Sequence, residues 1–150
     1  MAEYAISSSP DVLMTIGLGS CVGIALYDKR TKIGGLVHIM LPQNKKNLKP
    51  AKYADTGIPH MIEKMKEKGA KKRRMVAKIA GGAQMFSMGG EDSGLKVGER
   101  NVIKVKDVLK EENIKIIGED VGKNYGRTMK FYTEDGKVLI TSHRQDDNVL

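Results

Sequence analysis

The chain has 150 residues, 26 Lys+Arg against 18 Asp+Glu for a formal charge of +8, three His and one Cys. A single domain of this length, residues 1–150, needs no disulfide or metal to fold, and one cysteine forms no internal disulfide, which fits a reducing, cytoplasmic setting. Met1-Ala2-Glu3-Tyr4 has no basic region followed by an apolar one, so no signal peptide is expected; no apolar run is long enough to span a bilayer, and scattered Lys and Arg with few aromatics and no Trp point to a solvated surface or an acidic protein partner rather than nucleic acid.

Tyr4 to Ser7 predicts a short edge strand, and Ser8-Ser9-Pro10-Asp11 a turn. Val12 to Ile16 predicts a second strand, which stops at the glycine-rich bend Gly17-Leu18-Gly19-Ser20. Cys21 follows the bend. Val22 to Tyr27 then predicts a strand, Asp28 to Thr31 a four-residue turn, and Gly35 to Leu41 the returning strand. If Tyr27 faces Lys32, facing numbers sum to 59 and Cys21 faces His38, on one side of the sheet with Cβ atoms about 4.5–5.5 Å apart.

Pro42 to Lys52 is polar and predicts an exposed loop, fit to be a lid or a substrate edge. A helix is expected from Asp55-Thr56-Gly57, capped by Asp55 or Thr56, with Ile58, Met61, Ile62 and Met65 on its buried face and Gly69 at its end. Met75 to Ala80 predicts a strand, and Gly81-Gly82 and Gly89-Gly90 bracket a loop. Asn101 to Glu112 predicts a second helix with Val102, Val105, Val108 and Leu109 inward, closed by Asn113. Ile114 to Glu119 reads as a strand and Val121 to Arg127 as a glycine-rich loop. Lys130 to Thr133 and Lys137 to Ser142 form a hairpin around Glu134-Asp135-Gly136, and the tail after His143 is expected to fray. The fold class is α+β, with a mixed, mostly antiparallel sheet covered by two helices.

A free cysteine is ordinarily a small buried hydrophobe. Cys21 differs by its place after a polar bend, where the amides of Gly19, Ser20 and Val22 could hold an anion. A facing histidine adds to this, since an imidazolium and such amides would lower the thiol pKa and yield a nucleophilic thiolate. Thr15 offers a hydroxyl to the ring, and the only carboxylate in the hairpin is Asp28, at its far end. Gly17-x-Gly19-x-x-x-Gly23 imitates a dinucleotide fingerprint, but a strand follows it instead of a helix and no acidic residue stands near position 37. No cofactor is called for. One cysteine with three scattered histidines gives no metal spacing.

Several longer motifs occur in order: Thr15-Ile16-Gly17-Leu18-Gly19-Ser20-Cys21-Val22, Gly35-Leu36-Val37-His38-Ile39-Met40-Leu41-Pro42, Lys52-Tyr53-Ala54-Asp55-Thr56, Ala77 to Phe86, Gly98-Glu99-Arg100-Asn101 and Glu119 to Arg127. Together they resemble the chemoreceptor glutamine deamidases, the CheD family, over nearly the whole chain. The resemblance implies an α/β/β/α sandwich similar to the cytotoxic necrotizing factor-type deamidases, and a Cys21–His38–Thr15 triad. It implies hydrolysis of glutamine side chains on a methyl-accepting chemoreceptor to glutamate through a thioester, with the phosphatase CheC as a second partner. A non-catalytic adaptor docking on CheC or receptors is the alternative. Lys123 departs from the family's pattern, where glycine is common, and puts the local loop shape in question.

Overall fold

The computed structural model describes residues 3–85 and 96–150. The Gly89-Gly90 end of the predicted loop lies outside the described residues. The strands are β1 (Tyr4–Ser8), β2 (Val12–Leu18), β3 (Val22–Asp28), β4 (Ile33–Ile39), β5 (Met75–Gly81), β6 (Lys115–Val121), β7 (Arg127–Tyr132), β8 (Val138–Thr141) and β9 (Asn148–Val149). The helices are α1 (Ala54–Glu67) and α2 (Val97–Glu111).

Two sheets form where local patterning predicts one: β1-β4-β3-β5-β6 and β2-β7-β8-β9. Pairing is antiparallel except between β5 and β6. Every residue of β3 is buried, because helices cover one face of the first sheet and the second sheet covers the other. Ile24, Leu26, Val37 and Ile39 meet Ile58, Met61, Met65, Val105 and Leu109 on the helical side. Ala25, Tyr27 and Leu36 meet Met129, Phe131, Val138 and Ile140 between the sheets. Both helices contact the first sheet, α1 against β4 and β1, α2 against β6, β3 and β5. The α/β/β/α arrangement implied by resemblance is therefore corrected to helices, sheet, sheet among the described residues. The outer face of β2 leaves Val12, Met14 and Ile16 exposed.

Further boundaries move for physical reasons. α1 begins after Tyr53 with no side-chain cap; Thr56 Oγ1 instead donates to the Pro50 carbonyl at 2.7 Å, and Asp55 Oδ1 accepts from the Asn44 amide at 2.9 Å. α2 begins four residues before the predicted Asn101, since Gly98 is held inside its first turn. The tail does not fray. β9 pairs with β8, and the Leu150 carbonyl accepts from Lys78 Nζ at 2.7 Å.

The β3–β4 hairpin keeps a four-residue loop but shifts it by one position. Asp28 pairs with Ile33, the loop is residues 29–32, and Lys32 takes a φ of +56°. Asp28 stays in the strand because its fully buried carboxylate is bound bidentately by Arg74, with both bonds at 2.9 Å, and by the amides of Lys71 and Arg30. Burial pushes this carboxyl up, and those donors override it, holding it well below the usual carboxylate range. A depressed carboxyl stabilises the fold above the ordinary Asp pKa of about 3.9 and loses that contribution only as pH falls toward the folded value. Asp28→Ala, which leaves Arg74 without its partner, should cost about 3 kcal/mol in urea unfolding at pH 7.

Candidate active site

The register places Gly23, not Cys21, opposite His38; facing numbers sum to 61. The predicted sum of 59 is off by two, and an even shift preserves the side of the sheet. Cys21 therefore still shares His38's side, one step beyond the last rung, Val22 with Ile39. Both lie on the side facing the second sheet, where Cys21 packs at the edge of the inter-sheet core.

Thr15 reaches this space from the second sheet. β2 pairs with β7 through Thr15 and Met129, then shifts register before Leu18, opposite Arg127. The bulge at Ile16-Gly17, with Gly17 at φ +76°, lets both Thr15 and Leu18 turn inward. The chain then crosses from the second sheet to the first, and Cys21 stands at the crossing. Thr15 Oγ1 lies 2.9 Å from His38 Nδ1. Room for that approach comes from Gly23. A Cβ there would sit 3.4 Å from Thr15 Cγ2, 3.1 Å from Leu18 Cδ1 and 2.8 Å from Met129 Sδ.

Burial raises the Cys21 thiol above its ordinary pKa and lowers the His38 imidazole below its own, with Glu3 pulling the histidine the other way. Desolvation disfavours each charged form, so the resting pair is thiol and neutral imidazole. Burial therefore works against the preformed thiolate expected at the bend.

The bend amides divide into two groups. The Gly19 amide donates to the Gly17 carbonyl at 3.0 Å, and Val22 lies within the ladder between Ile39 and Gly81. The amides of Ser20 and Cys21 have no hydrogen-bond acceptor among the described residues. The carbonyls of Gly19 and Cys21 accept from Ala83 and Gly82 at 2.8 Å each, which ties the bend to the end of β5. Asn101, which sequence patterning places only at a helix start, is fully buried and donates to the carbonyls of Ser20 and Met40. His60 contacts Tyr4 edge-on, with ring centroids 5.0 Å apart. His143 lines a groove with Tyr125 and Arg144.

Two openings lie near these residues. A groove of about 110 Å³ between β1 and β2 exposes His38, Thr15 and Glu3. A wider one of about 670 Å³ is bordered by Ile16, Gly17, Met85, Tyr125 and Arg144. Next to Asn124, which lines it, Lys123 takes a φ of +62°, the left-handed backbone that glycine adopts at least cost, so the loop keeps a glycine-like turn. Among the described residues no cluster of three or more His, Cys, Asp or Glu could hold a metal ion, and no helix is long and apolar enough to cross a membrane.

The family model described as CheD chemotactic sensory transduction matches residues 40–142. A protein of Caldanaerobacter subterraneus subsp. tengcongensis named "Probable chemoreceptor glutamine deamidase CheD" is 53% identical over 143 residues, covering 93% of this chain and 88% of that one. One of the same name from Clostridium botulinum strain Eklund 17B is also 53% identical, with the same coverage. A third, from Syntrophomonas wolfei, is 46% identical over all of this chain and 95% of its own. With these matches over nearly its whole length, the chain belongs to the CheD family.

Proposed function

We propose that this protein is a chemoreceptor glutamine deamidase, hydrolysing glutamine side chains of a methyl-accepting receptor's cytoplasmic domain to glutamate. The observation that carries the reading is the 2.9 Å contact between Thr15 Oγ1 and His38 Nδ1, made across two sheets beside the sole cysteine. If Nδ1–H donates to Thr15, the other ring nitrogen, Nε2, is free to accept a proton. Cys21 gives its thiol proton to His38 as Sγ bonds to the carboxamide carbon. The Ser20 and Cys21 amides are the donors left for the oxyanion. The C–N bond breaks and ammonia leaves with the proton from His38. His38 then takes a proton from water, the water oxygen bonds to the thioester carbon, the C–S bond breaks and the proton returns to Sγ. The sum is glutamine plus water giving glutamic acid plus ammonia. No cofactor or metal enters this scheme, and the reaction runs in the cytoplasm, where the receptor's signalling helices lie. CheC is carried as a second partner.

Release of ammonia from a purified receptor cytoplasmic fragment tests the proposal. The unmodified protein should release it, and His38→Gln should slow release at least about 100-fold, the lower end of what a general acid–base contributes. No release by the unmodified protein would refute the reading and favour the adaptor.

The resting protonation states set a pH dependence. The active pair needs His38 neutral, and its pKa lies below the usual imidazole value, so kcat/KM should fall only below about pH 6.5. Between that limb and the raised Cys21 pKa the profile should be flat. An acid limb centred above pH 6.5 would contradict the neutral pair.

A further inference from the structure

We infer that Asn101 is a positioning residue for this chemistry, setting the spacing between the strand end that carries Cys21 and the one that carries His38. The inference rests on the deamidase reading above. β3 and β4 pair as far as Val22 and Ile39, and there the ladder stops. Cys21 lies just past that point. Strand pairing with β4 therefore does not hold it at a fixed distance from His38.

Asn101 takes over where the ladder ends. Its carboxamide donates one N–H to the Ser20 carbonyl at 2.9 Å and the other to the Met40 carbonyl at 3.0 Å. Ser20 immediately precedes Cys21, and Met40 lies two residues after His38. One planar, rigid group thus bridges the two strand ends. Both donors are spent on the bridge, and Oδ1 is left buried without a partner among the described residues. An orphaned buried acceptor costs about 1–3 kcal/mol, which a site selected for stability alone would avoid.

The rest of α2 is arranged to hold this side chain in place. A Cβ on Gly98 would come within 2.4 Å of the Ala83 carbonyl oxygen and 2.6 Å of that of Gly82. The first turn of α2 therefore lies directly on the backbone that ties down the bend. From the other side, the Met40 and Leu41 amides donate to the Lys52 carbonyl, so the far end of the bridge is anchored as well. A shift of about 1 Å in a reacting group can cost about 100-fold in rate. Asn101 is fully buried and lines neither groove, so it cannot touch a bound receptor and its effect falls on turnover.

The test compares Asn101→Leu, of similar volume but without donors, with Asn101→Ser, whose hydroxyl is too short to span both carbonyls. At a temperature where circular dichroism shows a variant folded, kcat on the receptor fragment should fall about 10- to 100-fold with KM within about twofold. In parallel, NMR titration should show the His38 pKa rising toward its ordinary value as water reaches the loosened strand end. The titration needs no turnover, so it reads the inference even if the unmodified protein proves inactive on receptors. A folded variant with the parent's kcat, or one in which KM alone rises, overturns the inference. So does an unmoved His38 titration, and so does loss of fold in both variants, which would make Asn101 structural.

Discussion

Cys21→Ala is expected to reduce glutamine deamidation by more than about 1,000-fold while the protein stays folded. In the proposed scheme the thiol is the only protein group that bonds to substrate carbon, and it belongs to the only cysteine in the chain. Removing it leaves His38 and the bend amides with nothing to activate. The fold should survive, because Cys21 sits at the margin of the inter-sheet core and the backbone carbonyls of Gly19 and Cys21, not the thiol, tie the bend to β5. Circular dichroism and the thermal midpoint check the fold, and ammonia release checks the loss. A variant that still deamidates at a tenth of the normal rate would mean another group is the nucleophile.

Thr15→Val should lower kcat about 10- to 100-fold with little change in KM. Valine keeps the branched shape beside Gly23 and removes only the oxygen that meets His38 Nδ1. A hydroxyl supplies mainly direction to the ring, so nucleophile and base survive and their alignment suffers. Thr15→Ser restores the oxygen and should recover most of the rate. Equal turnover by Thr15→Val and the unmodified protein would reduce Thr15 to a packing residue.

Much of this architecture was legible from local patterning. Ile58, Met61, Ile62 and Met65 repeat with helical spacing and are buried together. Asn113 closes α2 with a φ of +58°, as its place after Glu112 suggested. The hairpin strands were also readable, but their register was not. Asp28 looks like a turn residue until its ion pair with Arg74 is known, and that partner lies far along the chain. The second sheet was hidden for the same reason, since β2 pairs with β7 near the other end of the sequence. The three side chains of the proposed site are named from motif and register, whereas the glycine that makes room beside His38 is not. Gly23 reads as an ordinary strand glycine until Thr15, Leu18 and Met129 are placed against it. Asn101 carries a signal of its own in the sequence. It precedes Val105 by four and Val108 by seven, so it falls on the apolar stripe of α2, and a polar residue on a buried stripe needs partners.

Mass spectrometry of a receptor cytoplasmic fragment incubated in water enriched in oxygen-18 tests the central claim most directly. Exchange of an amide nitrogen for a water oxygen through a thioester should add about three daltons at the modified glutamine, against about one dalton in ordinary water, as hydrolytic deamidation requires. The gain should appear with the unmodified protein and be absent with Cys21→Ala. No mass gain with the unmodified protein, or an equal gain with both, would contradict it.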